Sequence, residues 1–322
     1  MSEKLLSISN LKTYFYTLKG TVKAVDGVDL EVGRGETVGI VGETGSGKSV
    51  TALSIMRLVP EPPGKIVDGE ILFKGENLLE KTSREMRDIR GKNITMIFQE
   101  PMTCLNPVLS IGDQISEVFI RHRDMNKAEA IRASIAMIKN MGIADPQLVV
   151  RKFPHELSGG MRQSVMIAIA LACKPELLIA DEPTTALDVT VKVQILELMK
   201  NLIRDYRTSL LFITHNLGVI AEMCDRVYVL YAGHVMEHAD VISVIKNNKH
   251  PYTTGLLNCI PKIGTNRRKL EDIPGSIPNM INPPTGCRFS PRCKHAKSVC
   301  KRKRPDIIEI EKGHYVACHI YG

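Results

Sequence analysis

Between residues 5 and 32 the chain alternates apolar and polar positions over short runs, as in Leu5-Leu6-Ser7-Ile8-Ser9 and Val28-Asp29-Leu30-Glu31-Val32. Successive side chains on a strand point to opposite faces, so this pattern predicts half-buried antiparallel strands, with a turn at Lys19-Gly20. Elsewhere the apolar positions run together. Thr37-Val38-Gly39-Ile40-Val41, Asn93-Ile94-Thr95-Met96-Ile97-Phe98-Gln99, Leu177-Leu178-Ile179-Ala180-Asp181-Glu182 and Ser209-Leu210-Leu211-Phe212-Ile213-Thr214-His215 read as strands buried on both faces. A further strand is predicted over 69–75, bounded by glycines. A hairpin is predicted from Val227-Tyr228-Val229-Leu230 and His234-Val235-Met236 around Ala232-Gly233. Helical periodicity covers 50–58, 112–141, 159–173 and 189–205. Buried strands alternating with helices predict an α/β fold. Several of these strands end in a polar residue, and the carboxyl edge of an open parallel sheet is where ligands bind.

After about residue 245 apolar periodicity fades while proline, glycine, charge and cysteine rise. The expected division is therefore 1–245 and 246–322. A length of 322 residues has room for about two domains. No apolar run reaches the 18 or so residues of a membrane helix, and Met1-Ser2-Glu3-Lys4-Leu5 lacks the apolar core of a signal peptide. A cytosolic protein is expected, with any membrane role acting through partners. The net charge of +8 lies in residues 260–322, and the preceding chain sums to zero. Such a basic tail suits nucleic acid, an anionic surface or simply solvent. Cys104, Cys173, Cys224 and Cys259 are scattered and read as small buried hydrophobes. Cys287, Cys293, Cys300 and Cys318 are bunched, which in a cytosolic protein suggests metal more than disulfides.

The stretch Gly42-Glu43-Thr44-Gly45-Ser46-Gly47-Lys48-Ser49 fits G-x-x-x-x-G-K-[ST] between a predicted strand and a predicted helix that opens at Val50. Gly42, Gly45 and Gly47 let backbone N–H groups, with those of Ser46 and Val50, curl toward phosphate oxygens. The helix N-terminus favours the same anion. Lys48 is expected to reach the β- and γ-phosphates and Ser49 to bind Mg²⁺. Asp181, emerging from its strand, is the second Mg²⁺ candidate. Glu182 follows it, placed to polarise a water for in-line attack on the γ-phosphorus.

Leu157-Ser158-Gly159-Gly160-Met161 resembles the signature of the ABC-type ATPases. Gln99 in Phe98-Gln99-Glu100-Pro101, Ala186-Leu187-Asp188 and His215 resemble that family's Q-loop, D-loop and switch histidine, in the family's order. The resemblance implies a P-loop NTPase (RecA-like) core with an antiparallel β subdomain and a helical signature subdomain. It also implies that two such chains pair head to tail, with ATP between one phosphate loop and the partner's signature. Ser158 and the N–H groups of Gly159 and Gly160 would then cap the γ-phosphate. Gln99 would sense Mg²⁺ and the attacking water, His215 would hold the γ-phosphate in line, and Phe15 would stack on adenine, with Tyr14 and Tyr16 as neighbouring alternatives.

Gln99 to Pro107, Ala186 to Val191, His250-Pro251-Tyr252-Thr253 and Gly286-Cys287-Arg288-Phe289-Ser290-Pro291-Arg292-Cys293 are similar to the peptide and nickel importer branch. Cys104 and Ser164 depart from its pattern, which has serine and arginine there. The branch implies two transmembrane permease subunits, a second nucleotide-binding subunit alike or homologous, an extracytoplasmic solute-binding protein, and a place on the cytoplasmic face of the membrane. The function implied is ATP hydrolysis that energises import of di- or oligopeptides, with nickel or another small solute as the alternative.

The cysteine spacing of the tail suits either zinc or an iron–sulfur cluster. Zinc sites favour pairs two to four residues apart, and no pair here is that close. A cubane accepts looser spacing, and the branch resemblance points the same way. A [4Fe–4S] cluster on Cys287, Cys293, Cys300 and Cys318 is expected, in a small irregular metal-binding extension. Zinc, aided by His295, His314 or His319, and four free thiols are the alternatives. A nucleic-acid-associated ABC ATPase is the rival function. It fits poorly, because the interval from phosphate loop to signature holds no sustained heptads, and no nucleic-acid partner is expected.

Overall fold

The computed structural model describes residues 3–99, 104–185, 187–259 and 273–322. Glu100 to Thr103 and Ala186, parts of two of the motifs above, lie outside the described residues, as do residues 260–272 at the start of the basic tail.

Strands β1 (Lys4–Thr17), β2 (Gly20–Gly33) and β3 (Thr37–Val41) lead into helix α1 (Lys48–Ile55), then β4 (Gly64–Phe73) and β5 (Glu76–Asn77). Next come α2 (Ser83–Ile89), β6 (Ile94–Ile97), α3 (Ile111–Arg123), α4 (Lys127–Asn140), α5 (Pro146–Val149) and α6 (Gly159–Leu171). β7 (Leu177–Asp181), α7 (Val189–Tyr206), β8 (Ser209–Thr214), α8 (Leu217–Met223), β9 (Arg226–Tyr231) and β10 (His234–Asp240) follow. The chain closes with α9 (Val241–Lys246), α10 (Pro251–Asn258), α11 (Ser298–Arg302), β11 (Ile308–Glu311) and β12 (His314–Val316). The elements form two compact units. One is Met1–Glu3, Gly33–Glu36 and Glu80–Leu211, called here the signature unit. The other is Lys4–Val32, Thr37–Leu79 and Phe212–Gly322, the phosphate-loop unit.

The phosphate-loop unit carries a four-stranded sheet in the order β2-β1-β4-β5. β1 and β4 run antiparallel from Leu6↔Phe73 to Phe15↔Gly64, with the register shifting between Ser9 and Lys12. The unit's second sheet places β11, β12, β10, β9 and β3 side by side. β3 and β9 are parallel, and β9 turns back into β10. Ala232 (φ 48°) and Gly233 (φ 79°) both occupy the left-handed region that a two-residue hairpin of matching twist requires. Val38, Ile40, Val227, Val229 and Leu230 are wholly buried, as their continuous apolar runs predict.

The expectation of a small irregular metal-binding extension is not supported. The C-terminal residues build onto this unit. β12 pairs with β10 through Glu237↔Val316 and His238↔Tyr315, and β11 pairs with β12. Phe289 packs edge-on against Tyr231, with ring centroids 5.2 Å apart, and against Tyr252 at 5.3 Å. Glu237, wholly buried, accepts hydrogen bonds from the backbone N–H groups of Lys249 and His250 and pairs with His314 at 2.7 Å. β11 and β12 escape a periodicity reading because they are short and interleaved with Glu309, Glu311 and Lys312.

In the signature unit, β6 and β7 are parallel, from Ile94↔Leu177 to Ile97↔Ala180. The helix expected over 112–141 is two helices. Asp124 turns left-handed (φ 51°), and Asn126 with Glu129 forms a capping box that starts α4. The apolar period continues across the break because the two helices pack on each other, and so it hides the break. Of the four scattered cysteines, Cys173 is buried as expected but Cys104 is exposed. Ser164 is 6% exposed, so the serine faces the interior of this unit rather than the surface of α6.

Candidate nucleotide site

The phosphate loop is a tight cradle. A Cβ at Gly42 would run into the Leu230 carbonyl. Gly47 sits at φ 103° as the cap of α1, where a Cβ would lie 2.6 Å from the Ala24 carbonyl oxygen. Only glycine satisfies both demands. No side chain caps α1, so its first N–H groups stay directed into the loop. Lys48 is 5% exposed, and its ammonium donates to the carbonyls of Gly42 (2.8 Å) and Glu43 (3.0 Å). The Ser46 hydroxyl is buried with no hydrogen-bond partner among the described residues. Ser49 and Val50, in the first turn of α1, are half-buried. Backbone donors, one buried ammonium and an unsatisfied hydroxyl suit a polyphosphate, and Ser49 adds the hydroxyl that Mg²⁺ takes.

Of the three aromatics on β1, Tyr14 is committed elsewhere. Its hydroxyl donates to Asp26 at 2.6 Å. Desolvation disfavours an ionised Asp26. The nearby His234 ring, the Tyr14 hydrogen bond and the charge of Arg288 outweigh it and hold the carboxyl well below its usual range. Phe15, one position on, packs its ring edge on Gly64, where a Cβ would meet it at 2.9 Å. Tyr16 is 53% exposed. His215 follows β8 and is exposed.

The signature unit holds the acids. Asp181, the last residue of β7, is 4% exposed. Glu182 turns left-handed (φ 48°), an uncommon conformation for a non-glycine residue that often marks functional sites. The parallel register ends at Ile97↔Ala180, and counting on two residues along each chain sets Gln99 level with Glu182. The Gln99 amide donates to the Glu182 carboxylate at 3.4 Å, and the Thr185 hydroxyl donates to the same oxygen at 2.9 Å. Two residues 83 positions apart thus meet because both follow adjacent strands.

Ser158 caps α6, its hydroxyl accepting from the Met161 N–H at 3.3 Å, and it is exposed. A Cβ at Gly160 would lie 2.7 Å from Val191 of α7, so the signature glycine allows close helix packing. Asp188 caps α7 in the same manner, accepting from Val191 at 2.9 Å.

Two contacts to the phosphate loop come from residues outside the nucleotide motifs, in the C-terminal stretches similar to the importer branch. The Tyr252 hydroxyl accepts from the Glu43 N–H at 2.9 Å, and Arg292 pairs with the Glu43 carboxylate at 2.9 Å. Both lie more than 200 residues from the loop in sequence, and local pattern carries no sign of them.

For the tail cysteines, burial raises Cys287 to about 11, and Cys318, Cys300 and Cys293 push the same way. Burial also raises Cys293 and Cys318. The four thiols are therefore electrostatic neighbours. Among the described residues, however, no group of three or more His, Cys, Asp or Glu side chains is arranged to hold a metal ion. The expected [4Fe–4S] or zinc site is not supported by this geometry.

The fold and the cradle define a P-loop ATPase of the ATP-binding cassette type. The family model described as "ABC transporter" matches residues 25–185, and "Oligopeptide/dipeptide transporter, C-terminal region" matches residues 236–300. The chain belongs to the oligopeptide/dipeptide branch of the ABC transporter ATP-binding proteins. It is 51% identical to the oligopeptide transport ATP-binding protein AppD of Bacillus subtilis (strain 168), over 98% of this chain and 97% of that protein. It is 48% identical to the dipeptide transport ATP-binding protein DppD of the same organism, over 98% and 94%. Among solved structures it resembles the dimeric, ADP- and Pi-bound cassette MJ0796. The TM-score is 0.66 at 26% identity, covering 73% of this chain and 98% of that one.

Proposed function

We propose that this chain binds and hydrolyses ATP to energise import of di- or oligopeptides through a membrane transporter. The observation that carries the reading is the Gln99–Glu182 pair at the ends of two parallel strands, in a chain that also folds a complete phosphate cradle. Lys48, Ser46 and the loop N–H groups bind the phosphates; Ser49, Asp181 and Gln99 are the residues that would hold Mg²⁺, which would neutralise phosphate charge. Glu182 takes the proton of the attacking water, Gln99 orients that water, and His215 keeps the γ-phosphate in line. Phe15 receives the adenine. Ser158, Gly159 and Gly160 close over the γ-phosphate bound by a second ATPase subunit. Peptide as the solute rests on the oligopeptide and dipeptide relatives.

Among the described residues no helix is long and apolar enough to cross a membrane. On this reading two permease subunits supply the pathway, this chain sits on their cytoplasmic face, and a solute-binding protein outside selects the peptide. Co-purification with membrane subunits and peptide-stimulated ATPase in proteoliposomes test the whole. ATPase indifferent to peptide and binding protein in the assembled transporter would remove the peptide assignment.

Cysteine spacing, rather than the described geometry, carries a second reading of the tail, in which Cys287, Cys293, Cys300 and Cys318 take up a [4Fe–4S] cluster or zinc. Metal analysis of anaerobically purified protein decides it. Four irons with a brown colour support the cluster, one zinc supports the alternative, and metal-free protein removes both.

A further inference from the structure

The phosphate loop contains one acid, Glu43, immediately after Gly42. A carboxylate in a loop built for polyphosphate opposes the ligand's charge unless something neutralises it. Arg292 does so. Its Nη1 lies 2.9 and 3.1 Å from the two Glu43 oxygens, with the arginine side chain 6% exposed and the glutamate 28%. The other two guanidinium nitrogens are engaged as well. Nε donates to the Pro274 carbonyl and Nη2 to the Ile273 carbonyl, both at 2.9 Å, and Nη1 also reaches the Tyr231 hydroxyl at 3.3 Å. A guanidinium bonded through all three nitrogens is held in one place, which a flexible surface pair is not. The Glu43 backbone is fixed from the same C-terminal region, its N–H by Tyr252. The Glu43 carbonyl accepts from both Lys48 and the Ser46 N–H, so the position of this residue sets the position of the catalytic loop's cation.

We propose that Arg292 is a positioning residue for nucleotide, neutralising Glu43 and clamping the phosphate loop from the Cys287–Cys293 segment of the tail. The inference rests on the nucleotide site described under the proposed function. The family's C-terminal region, on this view, completes the ATP site of its own chain. Without Arg292 the half-buried acid stands unpaired in the phosphate loop, ATP binding weakens, and the chemical step changes little, because the acid repels bound substrate and transition state alike.

The test titrates the full-length protein with a fluorescent ATP analogue and Mg²⁺, alongside ATPase kinetics and thermal melts. Arg292→Gln is expected to weaken affinity about tenfold, raising KM with kcat nearly unchanged. The deficit should shrink at high salt, which screens a charge repulsion. Arg292→Gln combined with Glu43→Gln should recover most of the affinity. Wild-type affinity in a folded Arg292→Gln protein overturns the proposal. So does a double variant as weak as the single, which would make Arg292 a mere brace. If Arg292→Gln does not fold, Glu43→Gln alone decides. It should bind within about threefold of wild type, since the acid goes together with the need to neutralise it, and a tenfold loss overturns the idea. Lys48→Ala is the control. Loss of binding there, with Arg292→Gln unaffected, sinks only this inference, whereas normal binding by Lys48→Ala sinks the nucleotide site itself.

Discussion

Two helix N-termini in this chain are candidate anion sites, and they are built in opposite ways. The start of α1 is closed over by its own unit. Gly47 caps it at a positive φ, Lys48 is buried against loop carbonyls, and Tyr252 and Arg292 hold Glu43. The start of α6 is open. Ser158 caps it with a conventional side-chain bond, is exposed to solvent, and has no cation bonded to it among the described residues. The first arrangement would take its phosphate ligands from one chain alone. The second offers a hydroxyl and N–H groups that become a site only when something is brought to them, which fits a signature that completes a partner subunit's ATP. The solved relative MJ0796 is described as dimeric, bound to ADP and Pi.

The sharpest way to break this contrast is through chemistry that belongs to neither helix. Glu182→Gln should lower turnover by about 10²–10⁴-fold while leaving ATP affinity near wild type, since it removes the base and spares the cradle. Sedimentation of this variant should show dimers with ATP and Mg²⁺ and monomers without. A nucleotide-independent dimer would mean that α6 is completed by protein contacts and not by ligand.

Acid should separate the two units. Burial lowers His234 and His238 to about 4 and His250 to about 3, and all three lie in the phosphate-loop unit. A histidine neutral when buried gains its proton first in the unfolded chain. Stability is therefore full above about pH 6.5 and falls as pH drops toward 4, by up to about 1.4 kcal/mol per pH unit for each group. Hydrogen exchange at pH 5 should show β9, β10 and α10 loosening before α6 and α7. Equal loosening of both units would remove these histidines as the cause.

Lys48→Ala should weaken ATP by about ten- to a hundredfold, the range for losing a charge-assisted bond. Calorimetric titration measures it, and unchanged affinity would show that this loop is not the nucleotide site. Ser158→Ala is the smallest change. It removes a cap worth about 1 kcal/mol at the start of α6 and should abolish ATP-induced pairing while monomeric ATP binding persists. Loss of binding in the monomer would make α6 part of its own chain's cradle and dissolve the contrast.

Most of the catalytic core was legible in the sequence because its devices are local. A loop of fixed spacing between strand and helix, a serine before a helix of small residues, and two acids at the end of an apolar run each announce themselves within ten residues. The Gln99–Glu182 meeting was legible only as two strand ends; the register Ile97↔Ala180 brought them opposite. The break between α3 and α4 was hidden because both helices keep their apolar faces in phase across Asp124.

The sequence alone determined the strands, the phosphate loop, the signature cap and the order of the motifs, since these depend on backbone preferences and periodicity over a few residues. The tertiary structure alone decided what became of the C-terminal region. Its short charged strands join β10, its buried Phe289 packs on Tyr231, and its Arg292 reaches Glu43. Pairings across some 250 residues depend on where the sheet places its edge and its hydrogen-bond vacancies, and no local pattern encodes that position.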